Sequence, residues 1–216
     1  MARSVKGTAV AVLTGDLVRS TALSHEGLLQ ARESLRRAAR EIAGWGRGAV
    51  HGPDFFRGDS WQLVLTQPNL WLRAVLYLRT TLRALEEDAD TRISVGVGAM
   101  DALDADAVSQ STGEAFVLSG RALDDMSRFE GFRLATAQPE PDETYLPTVL
   151  SFCSHVVGGW SSSQAKVALE MLRPLDKTQE ALADALGVSR QFVSKVHRQY
   201  GLSSVMMALD VFEGRA

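Results

Sequence analysis

Two short stretches carry residue types from which a site could be built. "LTGDLVRST" (Leu13 to Thr21) sets an acid, Asp16, behind the apolar run "TAVAVL", with two hydroxyls, Ser20 and Thr21, just after it. "FFRGDSWQLVL" sets a second acid, Asp59, in a Gly-Asp turn ahead of another apolar run. Two carboxylates close together repel and need a counter-charge. A hard divalent cation supplies it and recruits phosphate oxygens as further ligands. Two such ions can activate a hydroxyl and stabilise a leaving pyrophosphate. Asp16 and Asp59 are therefore candidate ligands for Mg²⁺ or Mn²⁺. The backbone N–H groups around Gly15 and Leu17, with the hydroxyls of Ser20 and Thr21, are candidates for holding the phosphates of a nucleotide. The competing reading is local, since Gly-Asp is common in turns and Asp starts helices.

A second chemistry lies near the other end. In "TQEALADALGVSRQFVSKVHRQYG" the spacing predicts a helix over Gln179 to Leu186 with Ala181, Leu182, Ala185 and Leu186 inward. Gly187 allows a tight turn, Val188 plugs it, and Ser189 caps a second helix whose Phe192, Val193 and Val196 face inward. This is a helix-turn-helix pattern. Ser189, Arg190, Gln191, Ser194, Lys195 and Arg198 are left for contact with double-stranded DNA. Amide and short polar groups suit base edges, and cations suit phosphates. There is no acid from Val188 to Gly201, although the whole chain carries a net charge of −3. A three-helix module that binds protein instead is the alternative.

Whether the two acids meet depends on the elements that carry them. Thr8 to Thr14 reads as a buried strand and His25 to Trp45 as an amphipathic helix. Arg57-Gly58-Asp59 reads as the turn of a hairpin, and Asn69 to Ala89 as a second helix. "TRISVGVGAM" alternates as a strand, "TGEAFVLSGRALDDMSRFE" is a third helix, and "FRLATAQ" is a last strand. The order is α+β of the βαββαβ, ferredoxin-like kind, with an extra helix before the last strand. In such a sheet the first strand runs antiparallel beside the third, so Asp16 and Asp59 arrive at one edge. The proline- and acid-rich "AQPEPDETYLP" predicts a linker over 138–147, dividing a sheet domain (1–137) from a small all-α domain (148–216). In that second part "SSSQAKVALEMLR" reads as a helix capped by Ser162 or Ser163. "SSVMMALDVFE" reads as an apolar helix that either closes the core or contacts a second copy.

These motifs carry a resemblance. "VAVLTGDLVRST", "FFRGDSWQLVL", "RISVGVGAMD" and "GEAFVLSGRAL" are similar, in that order, to the motifs of class III nucleotidyl cyclases; the Gly-Asp turn also resembles that of the GGDEF diguanylate cyclases, which share a palm-like core. "GDLVRS", "GDSWQ", "RISVGVG" and "GEAF" resemble the SatD-like family of small bacterial proteins, many of which also carry a C-terminal helix-turn-helix. The resemblance implies a cyclase-like domain in which Asp16 and Asp59 hold metal and Arg121 stands where the transition-state arginine stands. Arg121 equally suits a surface pair with Asp124 or Asp125. The family's asparagine four residues earlier is Val117 here, its lysine before the second Gly-Asp is absent, and Gln110 stands near its base-reading acid. Losing those contacts argues against efficient cyclisation of ATP or GTP.

Composition sets the outer limits. Hydrophobic residues make up 45 % and charged residues 23 % of the 216 residues, as in ordinary globular proteins. Cys153 is the only cysteine, so no intrachain disulfide is possible, which suits a reducing compartment. The first apolar run is too short for a secretion signal, and no stretch is long enough to span a bilayer. The expectation is a cytoplasmic, membrane-free DNA-binding regulator. Its sheet domain would sense a nucleotide or dimerise the chain; an active nucleotidyl cyclase or a purely structural platform are the alternatives. A homodimer is expected, because helix-turn-helix proteins often read two half-sites and class III cyclases work as dimers.

Overall fold

In a computed structural model, residues 8–85, 89–137, 144–175 and 177–214 are described. β1 (Ala9–Val18), α1 (His25–Ile42), β2 (Val50–Phe56), β3 (Ser60–Leu65), α2 (Trp71–Arg83), β4 (Asp90–Ala99), α3 (Glu114–Asp124) and β5 (Phe132–Thr136) form the first part. The sheet order is β2-β3-β1-β4-β5. β1 is antiparallel to both β3 and β4, and β5 adds to β4 in parallel. The first four strands thus have the expected split βαβ arrangement, and β5 widens it into a mixed sheet.

Alternation along β1 divides the core. Ala11, Leu13 and Leu17, with Trp61, Leu63, Leu65, Ile93 and Val95, bury on the side of α1 and α2. Val10 and Val12, with Val64, Ala115 and Phe116, form a smaller cluster under α3. Asp16 has the parity of Val10 and Val12, so it faces the α3 side.

Several boundaries differ from expectation. β1 does not stop at Thr14. It runs on to Val18 because β4 pairs with it over its whole length, down to Val18↔Asp90. α1 ends at Ile42 and α2 spans only Trp71–Arg83. Pro53 lies within β2, at a register shift between His51 and Asp54 on the sheet edge, where a missing N–H is tolerated.

Five helices follow among the described residues: α4 (Leu146–Gly158), α5 (Ser162–Leu172), α6 (Gln179–Leu186), α7 (Arg190–Gln199) and α8 (Leu202–Phe212). Most of the expected linker, 138–143, lies outside the described residues. Its last two residues, Leu146 and Pro147, already belong to α4, where a proline in the first turn loses no helical bond. Ser161, not Ser162 or Ser163, caps α5, in a reciprocal capping box with Gln164. Leu202, Val205 and Leu209 of α8 join the main core, so this helix closes it.

That core continues from the sheet into the helices. α2 is buried almost all round, with only Thr81 and Arg83 partly exposed. The sheet covers one side of it, and α4, α5 and α8 cover the other. Its arginines are bonded across this junction. Arg73 pairs with Glu213 and donates to the Leu172 carbonyl. Arg79 pairs with Asp90 and donates to Ser154. Arg83 donates to the Trp160 carbonyl at 2.7 Å. No helix among the described residues is long and apolar enough to cross a membrane.

Candidate functional site

The sheet brings Asp16, Asp59 and Ser20 to one edge. Asp16 stands opposite Ser60 on β3 and opposite Arg92 on β4. Asp59 closes the hairpin turn, where Arg57 and Gly58 take left-handed backbone (φ 49° and 88°), as tight primed hairpins require. Its carbonyl accepts from the Leu17 N–H at 3.1 Å, and its Oδ2 accepts from Ser20 Oγ at 2.9 Å.

Asp16 already has a cation. Arg92 donates to Asp16 Oδ1 through Nε at 3.0 Å and to Oδ2 through Nη2. Nη1 of Arg92 donates to the Met126 carbonyl at 3.2 Å, which fixes the guanidinium at a third point. The pair is mostly shielded, with side chains 26 % and 20 % exposed for Arg92 and Asp16. The hydrogen bond to Asp16 raises the Arg92 pKa; burial opposes this, and the fields of Asp16, Asp59 and Glu130 add to it. Bidentate arginine–carboxylate pairs are among the strong charge-assisted contacts. The Arg in "RISVGVG" was the available signal, but strand alternation alone treats such a residue as a solvated one.

The donor set does not fit a resident metal. Both Asp16 oxygens are committed to Arg92, one Asp59 oxygen accepts from Ser20, and no group of three or more His, Cys, Asp or Glu clusters among the described residues. Mg²⁺ wants near-octahedral oxygen ligation.

The expected phosphate cradle also changes. Gly15 and Leu17 lie inside the ladders, and the Leu17 amide is already bonded. Gly15 has a packing reason: a Cβ there would come within 2.5 Å of the Trp61 ring. Ser20 is tied to Asp59, and Thr21 is exposed on a short 3₁₀ turn over Ser20–Ala22.

Beside the pair, on the α3 side, is a cleft of about 450 Å³ lined by Thr14, Asp16, Arg57, Gln62, Arg92 and Asp124, among others. Its floor is polar and ordered. Gln62 Nε2 donates to Thr14 Oγ1, Thr14 bonds Ser119 Oγ at 2.8 Å, and Ser94 Oγ donates to the Ser119 carbonyl. Gln62, Ser94, Ser119 and Asp124 were not expected here. Arg121 is exposed on α3 and does not line the cleft, although its neighbours Gly120 and Asp124 do. No ion pair of Arg121 occurs among the described residues, with Asp124, Asp125 or any other acid.

The other candidate surface is on α7. Thr178 caps α6 by accepting from the Ala181 N–H, and Gly187 (φ 64°) ends it. Ser189 caps α7 by accepting from the Phe192 N–H at 3.1 Å. Leu182, Ala183, Val193 and Val196 are buried. Ala181 and Ala185, expected inward, are exposed, because an eight-residue helix buries one narrow stripe and they flank it. Arg190, Gln191, Lys195 and Arg198 are exposed and Ser194 half-exposed, one continuous stripe at helical spacing. Lys195 Nζ lies 5.7 Å from the Tyr200 ring centroid. His197 is half-buried, and its Nδ1 finds no hydrogen-bond partner among the described residues.

No protein-family model matches the chain, and no curated protein matches it. Among solved structures the chain is similar to the dimeric guanylyl cyclase domain of the RhoGC fusion protein from the aquatic fungus Blastocladiella emersonii. That likeness has 17% identity and a TM-score of 0.45, and covers 57% of this chain and 78% of that one. It is also similar to the guanylyl cyclase Cya2, at 16% identity and a TM-score of 0.38, over 57% of this chain and 74% of that one.

Proposed function

We propose that the protein is a DNA-binding regulator. One observation carries this reading: α7 is capped, packed on its apolar side, and exposes Arg190, Gln191, Ser194, Lys195 and Arg198 as a stripe with no acid from Val188 to Leu209. In this reading α6 and α7 form a helix-turn-helix, α7 enters the major groove, Arg190 and Gln191 reach base edges, and Lys195 and Arg198 hold phosphates. The sheet part, 1–137, is a non-catalytic platform whose polar cleft takes a small charged ligand such as a nucleotide, and the helical part, 148–216, binds DNA. Two copies would read two half-sites.

The test is binding of the full chain to its own upstream DNA and to a random duplex library at several salt concentrations. The reading expects saturable binding that weakens steeply with salt. Absence of binding to every duplex would remove it. A thermal-shift panel of nucleotides, with and without Mg²⁺, tests the sensing part. Light scattering of the free chain tests the homodimer.

A second reading, a nucleotidyl cyclase or related nucleotidyltransferase, is favoured by the meeting of Asp16 and Asp59 at one edge. It is opposed by the commitment of Asp16 to Arg92. Mass spectrometry of each nucleoside triphosphate after incubation with the chain and Mn²⁺ decides it. A product lost in Asp16→Asn would establish the enzyme, and no product from any nucleotide would dismiss it.

A further inference from the structure

We infer that Arg92 is the resident cation of the Asp16–Asp59 edge, filling the electrostatic role of a divalent ion, so that the native site takes no metal. Two carboxylates brought to one sheet edge require positive charge. Here the chain supplies it from β4, directly across from Asp16 in the ladder. Both Asp16 oxygens accept from Arg92, which also feels the field of Asp59. Asp59 is in turn held by the Ser20 hydroxyl. The Met126 carbonyl anchors the far side of the guanidinium, so the side chain cannot swing out without losing a third bond. A dication entering between the two acids would have to displace charge-assisted bonds and sit against a fixed positive group.

The inference concerns the sheet edge alone and stands or falls separately from DNA binding by α7. It predicts that removing the guanidinium creates a metal site. Mn²⁺ is titrated into the full chain and followed by electron paramagnetic resonance, with Tb³⁺ luminescence as a second probe. Wild type is expected to show no saturable binding up to millimolar Mn²⁺. Arg92→Met, which keeps the length of the side chain and removes its charge, is expected to bind one Mn²⁺ at least tenfold more tightly than wild type. Asp16→Asn placed on Arg92→Met is expected to abolish that gain. Arg92→Lys keeps a positive charge and is expected to behave as wild type.

Saturable one-to-one binding by wild type, lost in Asp16→Asn, would overturn the inference. So would a folded Arg92→Met protein that binds no better than wild type, with folding checked by circular dichroism. If Arg92→Met does not fold, the wild-type and Arg92→Lys titrations decide, since binding by either one overturns the inference and its absence in both upholds it.

Discussion

Arg73, near the start of α2, and Glu213, just after α8, form a two-pronged ion pair with contacts of 2.6 and 2.7 Å. Their side chains are 2 % and 8 % exposed. Breaking a buried pair from one side leaves a bare charge in the core. Glu213→Ala should therefore cost about 3–5 kcal/mol, read as a lower midpoint in guanidinium unfolding. A double change to Arg73→Met and Glu213→Leu should recover a large part of that loss. Equal stability of wild type and Glu213→Ala would show that the pair contributes little.

On the proposed reading that α7 binds DNA, its exposed stripe predicts two different kinds of damage. Lys195→Ala should weaken binding to all duplexes alike and reduce the slope of log affinity against log salt by about one. Gln191→Ala should cost about 1–3 kcal/mol on a preferred sequence and little on random DNA. Fluorescence anisotropy with both duplexes, at three salt concentrations, separates the two. A Lys195→Ala protein with unchanged salt dependence would take that residue off the phosphate backbone.

Gly15 predicts a packing failure. An added methyl would stand 2.5 Å from the Trp61 ring and 2.7 Å from the Arg92 carbonyl. The Trp61 ring is held in place by its own bond from Nε1 to Thr91 Oγ1. Gly15→Ala should destabilise by about 1–3 kcal/mol, as overpacked cores do, visible as a drop in melting temperature and a shift in tryptophan fluorescence. An unchanged melting temperature would mean that the strand moves aside freely.

Cys153 predicts slow chemistry and a direction with pH. Burial pushes its thiol up to about 11, against roughly 8.5 for a free thiol. Between those values the folded chain keeps a proton that the unfolded chain has lost. The thiol's contribution to stability is therefore intact below the unfolded value and is lost as pH rises through that window. At pH 8 a chromogenic disulfide reagent should label the native chain only as fast as it opens, and urea should accelerate labelling sharply. Immediate stoichiometric labelling of native protein would contradict the burial.

Much of the edge was legible in the sequence because it follows from connectivity. Once the strand order is read as a split βαβ, Asp16 and Asp59 must converge, whatever their partners. The cap at Ser189 and the tight turn at Gly187 were legible for a local reason: each is set by neighbours three or four positions away. Arg92 and Arg73 were not. A strand pattern treats an arginine at an alternate position as solvated, and a helix pattern treats arginines as its wet face. Here each is held by an acid far along the chain, and only the tertiary fold supplies that acid. The length of β1 was missed for the same reason. "GDLV" has the composition of a turn, and pairing with β4 keeps it extended. At α5, three consecutive serines offered equivalent caps, and the choice of Ser161 depends on Gln164 reaching back to its amide.

The burial of α2 on both sides has a consequence for how the protein can be taken apart. Leu72, Val75, Leu76 and Leu82 belong to one core with Leu150, Val167, Leu172 and Leu209 from the helices beyond the boundary. α2 is thus a party wall, built once and used by the rooms on either side. A fragment ending at residue 137 would turn that wall into an outer face with Arg73 and Arg83 stripped of these acceptors and Arg79 left with Asp90 but without Ser154, and the helical remainder would lose its floor. The two halves should melt in one step, and neither should be portable as a cassette.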